Sequence, residues 1–188
     1  MQEFWVFGYG SLMWRPGFAF AEQRRARLRG LHRRLCVYSH VHRGTPDRPG
    51  LVMGLDRGGA CRGIAFRVEP AAWADTLAYL RSREQVTNVY LEVSRPIQLL
   101  GDGAREVTAV AYAVDRRHPQ YAGKLGIEAQ LALIGQGHGI SGACAEYVLS
   151  TAQHLRELGV TDPLLAALAD RLAREPAEAS EPAHEWQG

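Results

Sequence analysis

Phe4-Trp5-Val6-Phe7-Gly8-Tyr9-Gly10-Ser11-Leu12 is the stretch from which the fold is read. Residues 4–9 are aromatic and β-branched, which predicts a short buried strand, and Gly8-Tyr9-Gly10-Ser11 predicts a tight turn at its end. Downstream, residues 27–38 and 51–56 read as strands flanking a loop punctuated by His42-Arg43-Gly44-Thr45-Pro46-Asp47-Arg48-Pro49-Gly50. Gly58-Gly59 predicts a hairpin leading to a strand over residues 62–68. Pro70 fits the first turn of a helix over residues 71–83, where good helix formers run without glycine. Strands follow at 90–99 and 107–114, joined by the turn Gly101-Asp102-Gly103. From Lys124 the period becomes helical, with segments at 124–134, 143–158 and 163–174, Gly159 as a stop and Asp162-Pro163 as a start. Strands, one helix, two strands and then helices predict an α+β fold around a mixed or barrel-like sheet, not a doubly wound α/β fold.

The 188 residues are 46% hydrophobic and 22% charged, an ordinary globular composition. A chain of this length removes roughly 70% of its unfolded surface from water, so one domain over residues 1–174 is expected. Residues 175–188 carry Glu175, Glu178, Glu181 and Glu185 without apolar periodicity and read as a disordered acidic tail. Twenty-two basic residues against twenty acidic ones leave a net charge of +2, too balanced to signal a nucleic-acid or membrane partner. No signal peptide is visible at the N-terminus, and no stretch of about eighteen apolar residues occurs. Cys36, Cys61 and Cys144 are widely spaced and odd in number, which predicts reduced, buried thiols in a cytoplasmic protein.

Several local patterns bear on chemistry. Seven arginines between residues 24 and 43, with no acidic residue among them, fit a nucleic-acid surface, an anionic small substrate nearby, or solvent-facing Arg27, Arg29 and Arg33 alternating with inward Leu28, Leu31 and Leu35. Gly137-His138-Gly139-Ile140-Ser141-Gly142 has dinucleotide-fingerprint spacing, but the segment before it reads as helix where that site needs a strand. A free-N–H anion site and a flexible connection both remain open there. Met13 stands where a serine-hydrolase elbow needs its second glycine, so Ser11 does not read as a triad nucleophile. His40, His42 and Cys36 lack a fourth partner and do not make a metal site.

Glu84 stands out from pattern alone. Trp73, Leu77 and Leu80 define one helical face, and Glu84 is the next position on it, where an apolar residue belongs. A carboxylate continuing a buried stripe has its proton affinity raised, which suits a general base and acid near neutral pH. Alternatively the helix ends before Glu84, or Arg81 or Arg83 neutralises it at the surface.

Taken together, residues 6–12, His42-Arg43-Gly44-Thr45-Pro46, Arg83-Glu84 after a helix, and Ser141-Gly142 through Glu146-Tyr147 closely resemble the ChaC-type γ-glutamylcyclotransferases, over about residues 4–172. The resemblance implies a mixed β-barrel with flanking helices, no cofactor and no metal, and conversion of glutathione to 5-oxoproline and cysteinylglycine. It implies Glu84 as the catalytic carboxylate, Tyr9, Gly10, Ser11 and Leu12 as the substrate loop, and Tyr147 as a hydrogen-bonding partner of the glutamyl group. Arg43 is a candidate for the glycine carboxylate of glutathione, or else pins its own loop. Other γ-glutamyl amides, and a non-catalytic anion-binding module, are the competing expectations; no nucleic-acid or membrane partner is expected, and oligomeric state is not legible. Two departures bear on substrate preference: Gln85-Val86-Thr87-Asn88-Val89-Tyr90 stands where many eukaryotic members continue Gly-Gly-Tyr, and Ser141-Gly142-Ala143-Cys144-Ala145-Glu146 lacks an asparagine found in some relatives.

Overall fold

Strand β1 (Phe4–Gly8) lies between two partners, antiparallel to β3 (Gly50–Val68) and parallel to β5 (Glu106–Val114). Trp5 and Phe7 enter the main core, while Val6 joins a second apolar cluster with Leu12, Val68, Leu80 and Tyr112. Burial on both faces explains why this segment is an unbroken apolar run and not an alternating one. The structure, a computed structural model, describes residues 3–174; the predicted acidic tail lies outside the described residues.

The barrel closes in the order β1-β3-β2-β4-β5, with β2 (Glu22–Ser39) paired antiparallel to β3 and β4 (Tyr90–Leu99), and β4 antiparallel to β5. A mixed barrel is thus present, as the order of elements predicted. The expected hairpin at Gly58-Gly59 is not. β3 runs continuously through both glycines and stays paired with β2 on either side, from Arg57 opposite Leu31 to Ala60 opposite Arg29. Gly58 and Gly59, with φ +98° and +63°, lie across from Gly30, with φ +81°. Such left-handed residues make a bulge that bends a long strand pair without reversing it, because the neighbouring strand continues past them.

Helix α1 (Trp73–Glu84), preceded by a 3-10 turn over Pro70–Ala72, buries Thr76 and Leu80. Leu80 covers the outside of β1 through the Val6 cluster. Helices α2 (Ile127–Gln136), α3 (Cys144–Glu157) and α4 (Pro163–Arg174) extend the main core with Leu131, Ile134, Val148, Leu155, Leu165 and Leu168. α2 begins three residues later than the period implied, because extended Gly126 precedes it. α3 ends as expected: Gly159 takes φ +64° and the Val160 N–H reaches back to Leu155 O. Asp162 caps α4, accepting the Leu165 N–H at 3.1 Å.

The glycine-rich segment before α3 forms a small hairpin, β6 (His138–Gly139) with β7 (Gly142–Ala143). It packs against residues 41–43: Val41 O accepts from the Ile140 N–H and His42 O from the Ser141 N–H. A Cβ on Gly139 would lie 2.3 Å from Val41 O, so only glycine permits this approach of backbones.

Candidate active site

The open edge of β3 decides where the site forms. β1 pairs with β3 only from Ile64 onward and β5 touches it at Leu55, so no neighbouring strand covers the side of Met53 facing away from β2. Into this gap come the turn after β1, the C-terminal end of α1, the start of β4 and the first turns of α3. Together they enclose a cavity of about 100 Å³. Six of the residues identified in the sequence line it: Tyr9, Gly10, Ser11, Leu12, Glu84 and Tyr147. Larger clefts of about 330–380 Å³ border α4, but none of those residues lines them.

The chain after β1 turns through a 3-10 helix over Ser11–Met13, with Met13 N–H on Gly10 O and Arg15 N–H on Ser11 O. The opening N–H groups of such a turn have no acceptor within it, which leaves backbone donors at the cavity wall. Two arginines brace the turn from outside. Arg33 donates from Nε to Tyr9 O at 2.5 Å and from Nη2 to Arg62 O at 2.7 Å, with its side chain only 5% exposed. The expectation that Arg33 faces solvent is therefore overturned, since its guanidinium is held by the Tyr9 and Arg62 carbonyls and lies 3.8 Å from Asp162. Arg83 donates to Ser11 Oγ at 2.9 Å, to Tyr79 Oη at 2.9 Å and to Arg15 O at 2.7 Å. Ser11 Oγ thus faces a guanidinium and no base, which agrees with its not being a nucleophile.

Glu84 is the last residue of α1, and its side chain is 17% exposed. Burial raises its proton affinity above the ordinary carboxylate value, and Arg83, with Nε 3.2 Å from Oε1, opposes part of that rise. Both elements of the alternative reading are thus present in part: the helix ends at Glu84 and Arg83 sits beside it, yet desolvation outweighs the ion pair. Arg81 takes no part, being committed to Glu92.

Tyr147 is positioned through the start of α3. Cys144 Sγ accepts the Leu51 N–H at 3.3 Å and donates to Leu51 O at 3.2 Å, anchoring the helix to β3. One turn on, Tyr147 Oη accepts the Met53 N–H at 3.2 Å. Arg43 does not line the cavity: it donates to Ala143 O at 3.1 Å and its guanidinium lies 5.6 Å from the Tyr147 ring centroid, behind that ring. His42-Arg43-Gly44 and Ser141-Gly142, separate motifs in the sequence, are one packed unit in space.

Tyr90, Val52 and Met53 also line the cavity, and sequence reasoning did not single them out. Tyr90 donates to Met53 O at 2.6 Å. It follows the segment 85–89, in which Asn88 adopts φ +58°, a left-handed conformation that asparagine tolerates better than most side chains. Burial pushes the hydroxyls of Tyr9 and Tyr90 well above the ordinary phenol value, with neighbouring phenols and Glu84 adding to the rise, and that of Tyr147 up to about 12, where the Met53 N–H opposes the rise and Cys144 and Glu84 add to it. The site is therefore one carboxyl group among neutral phenols and backbone donors. Among the described residues no group of three or more His, Cys, Asp or Glu is arranged to hold a metal ion.

The chain is similar in sequence and in fold to known proteins. The chain is 36% identical over 158 residues to a glutathione-specific γ-glutamylcyclotransferase of Escherichia coli (strain K12), covering 84% of this chain and 68% of that protein. It is 36% identical over 175 residues to the human glutathione-specific γ-glutamylcyclotransferase 1, covering 90% and 78%. The fold superimposes on a crystal structure of a γ-glutamyl cyclotransferase from yeast specific to glutathione, with a TM-score of 0.83, 22% identity, and coverage of 93% and 97%. The sequence model of the family described as ChaC-like protein matches residues 4–175. With the β1 turn, Glu84 and the α3 tyrosine gathered at one cavity, and that match spanning the whole barrel, the chain belongs to the ChaC-like protein family.

Proposed function

We infer that this protein is a γ-glutamylcyclotransferase that converts glutathione to 5-oxoproline and cysteinylglycine. The observation carrying this reading is Glu84, a desolvated carboxyl on the wall of a cavity whose serine is paired to an arginine and not to a base. A γ-glutamyl group brings its own nucleophile, so such a cavity needs no nucleophilic side chain. Holding the glutamyl chain curled supplies proximity between its α-nitrogen and γ-carbonyl carbon. Ionised Glu84 takes a proton from the α-ammonium, and the freed lone pair attacks the γ-carbonyl carbon. Negative charge then develops on the carbonyl oxygen, where backbone donors of the β1 turn stabilise it by ~3 kcal/mol each. The intermediate collapses as the original amide C–N bond breaks: Glu84 returns its proton to the departing cysteinyl nitrogen, and the second proton given up by the attacking nitrogen passes to the same group, so that a neutral lactam and a cysteinylglycine ammonium result. One carboxyl thus serves both proton transfers, with gains of about 10²–10⁴-fold typical of such catalysis.

Tyr9, Gly10, Ser11, Leu12 and Tyr147 bind the glutamyl group in this reading. Arg43 acts by holding Tyr147 and the hairpin. Three buried free thiols suit a reducing cytoplasm, where we place the protein. The basic segment favours the enzyme over an anion-binding module, because Arg24, Arg33 and Arg34 are engaged with Leu100 O, Tyr9 O and Asp56.

Purified protein incubated with glutathione yields equal amounts of 5-oxoproline and cysteinylglycine, and Glu84→Gln abolishes both. Absence of both products from the wild type, or full turnover by the variant, sinks the assignment. γ-Glutamyl-alanine and γ-glutamyl-lysine in parallel separate glutathione specificity from general γ-glutamyl cyclisation.

A further inference from the structure

Met53 exposes a backbone N–H and C=O at the uncovered edge of β3, and two tyrosine hydroxyls take the place of the missing strand. Backbone groups have fixed roles: N–H only donates and C=O only accepts. The directions of both phenolic protons follow. Tyr90 spends its proton on Met53 O at 2.6 Å, so what it offers the cavity is oxygen lone pairs. Tyr147 uses a lone pair to accept the Met53 N–H at 3.2 Å, so its own proton is left to donate. Two identical side chains on one cavity wall thus present opposite hydrogen-bonding character, decided by the polarity of a single strand residue.

A γ-glutamyl head displays the same two kinds of group. Its α-carboxylate and γ-carbonyl accept, and its α-ammonium is the charged donor, with three hydrogens. We propose that Tyr90 is a specificity-determining residue that accepts a hydrogen bond from the substrate's α-ammonium, while Tyr147 donates to an oxygen of the same head. The assignment rests on the cyclotransferase reading above and extends it to a residue with a stated partner. Donation to Met53 O polarises the Tyr90 hydroxyl and makes its oxygen a better acceptor. Its burial keeps the group a neutral phenol. Glu84 lines the same cavity of about 100 Å³ as both phenols, so the ammonium held by Tyr90 is presented beside the base that deprotonates it.

The test compares glutathione with glutaryl-cysteinylglycine, which lacks only the α-amine and cannot cyclise. In Tyr90→Phe, kcat/KM for glutathione falls about tenfold or more, the usual effect of losing a hydrogen bond to a charged group, while calorimetric affinity for the deamino compound stays within about twofold of wild type. Tyr147→Phe weakens both compounds alike. A wild type that does not turn over glutathione removes the cyclotransferase reading itself. A wild type that turns over, with a Tyr90→Phe variant that loses affinity for both compounds equally or retains full kcat/KM, overturns the role of Tyr90. If Tyr90→Phe does not melt cooperatively, 3-fluorotyrosine at position 90 keeps ring and hydroxyl but weakens the oxygen as acceptor, and the same selective loss for glutathione is required of it.

Discussion

Arg83 Nη2 donates to Ser11 Oγ at 2.9 Å, joining the helix that ends in Glu84 to the turn that forms the opposite wall of the cavity. The same guanidinium reaches Arg15 O and Tyr79 Oη and lies beside the Glu84 carboxylate, so one side chain sets the distance between the base and the loop. Replacing Arg83 by methionine is expected to lower kcat/KM by about 100-fold, the scale of a 1 Å misplacement of reacting groups. Lysine recovers only part of this, because a single ammonium cannot serve several fixed acceptors as a planar guanidinium does. Steady-state kinetics of both variants decide the matter; wild-type kcat/KM in the methionine variant rules the clamp out.

Glu84 links activity to stability with opposite signs. Its folded-state proton affinity is raised above the unfolded value of 4.5, so the folded protein binds the proton more tightly. That contribution to stability is fully present below about pH 4.5 and is lost as pH rises through the higher folded value. Glu84→Gln removes the ionisation, so at pH 7 the variant is expected to melt above wild type while turning over at least about 100-fold more slowly. The melting difference closes as pH falls below about 4.5. In wild type, kcat/KM rises with pH along a limb displaced above the ordinary carboxylate range. Thermal melts of both proteins from pH 4 to 8 test the sign, and a variant less stable than wild type at pH 7 contradicts it.

Asp56, fully buried, pairs with Arg116 at 2.6 Å and Arg34 at 3.4 Å, and accepts from Tyr121 Oη at 2.9 Å. Burial alone would raise its carboxyl, but Arg116, Tyr121 and the Arg57 N–H outweigh it and hold the group below its ordinary 3.8. Its contribution is therefore present above pH 3.8 and disappears as pH falls through the folded value. Asp56→Asn is expected to lose about 3 kcal/mol at pH 7 by leaving two arginines unpaired, with the deficit shrinking in acid. Urea unfolding at pH 7 and pH 3 measures both.

Gly10 and Gly139 separate function from folding. A Cβ on Gly139 meets Val41 O at 2.3 Å and the His42 carbonyl carbon at 2.5 Å, so Gly139→Ala forces two backbones apart and costs about 2 kcal/mol. A Cβ on Gly10 meets nothing within 4 Å, and the residue lines the cavity. Gly10→Ala is thus expected to melt like wild type and to lose kcat/KM, because the added methyl occupies space beside the proposed substrate. Loss of stability at Gly10, or none at Gly139, runs against both assignments.

Periodicity and punctuation located most elements because each rests on local energetics: the apolar β1, the strand at Tyr90–Leu99, and α4 behind its Asp162 cap depend on near neighbours in the chain. The same signals misjudged Gly58-Gly59, since two left-handed glycines suit a hairpin and a bulge equally and only the continuing partner β2 chooses the bulge. Glu84 was legible as a carboxylate on an apolar face, and the family motifs pointed to Tyr9, Gly10, Ser11, Leu12 and Tyr147. What tertiary structure alone decided was reach and polarity. Arg33 looked like one more solvent-facing arginine until the turn after β1 placed Tyr9 O beside it. Tyr90 was legible only as the end of the segment after Glu84, and its hydrogen-bonding role was not, because that comes from Met53, 37 residues away in the chain. A side chain's chemistry is written in the sequence, but the hydrogen-bonding role it has left to offer depends on which backbone group the fold sets against it.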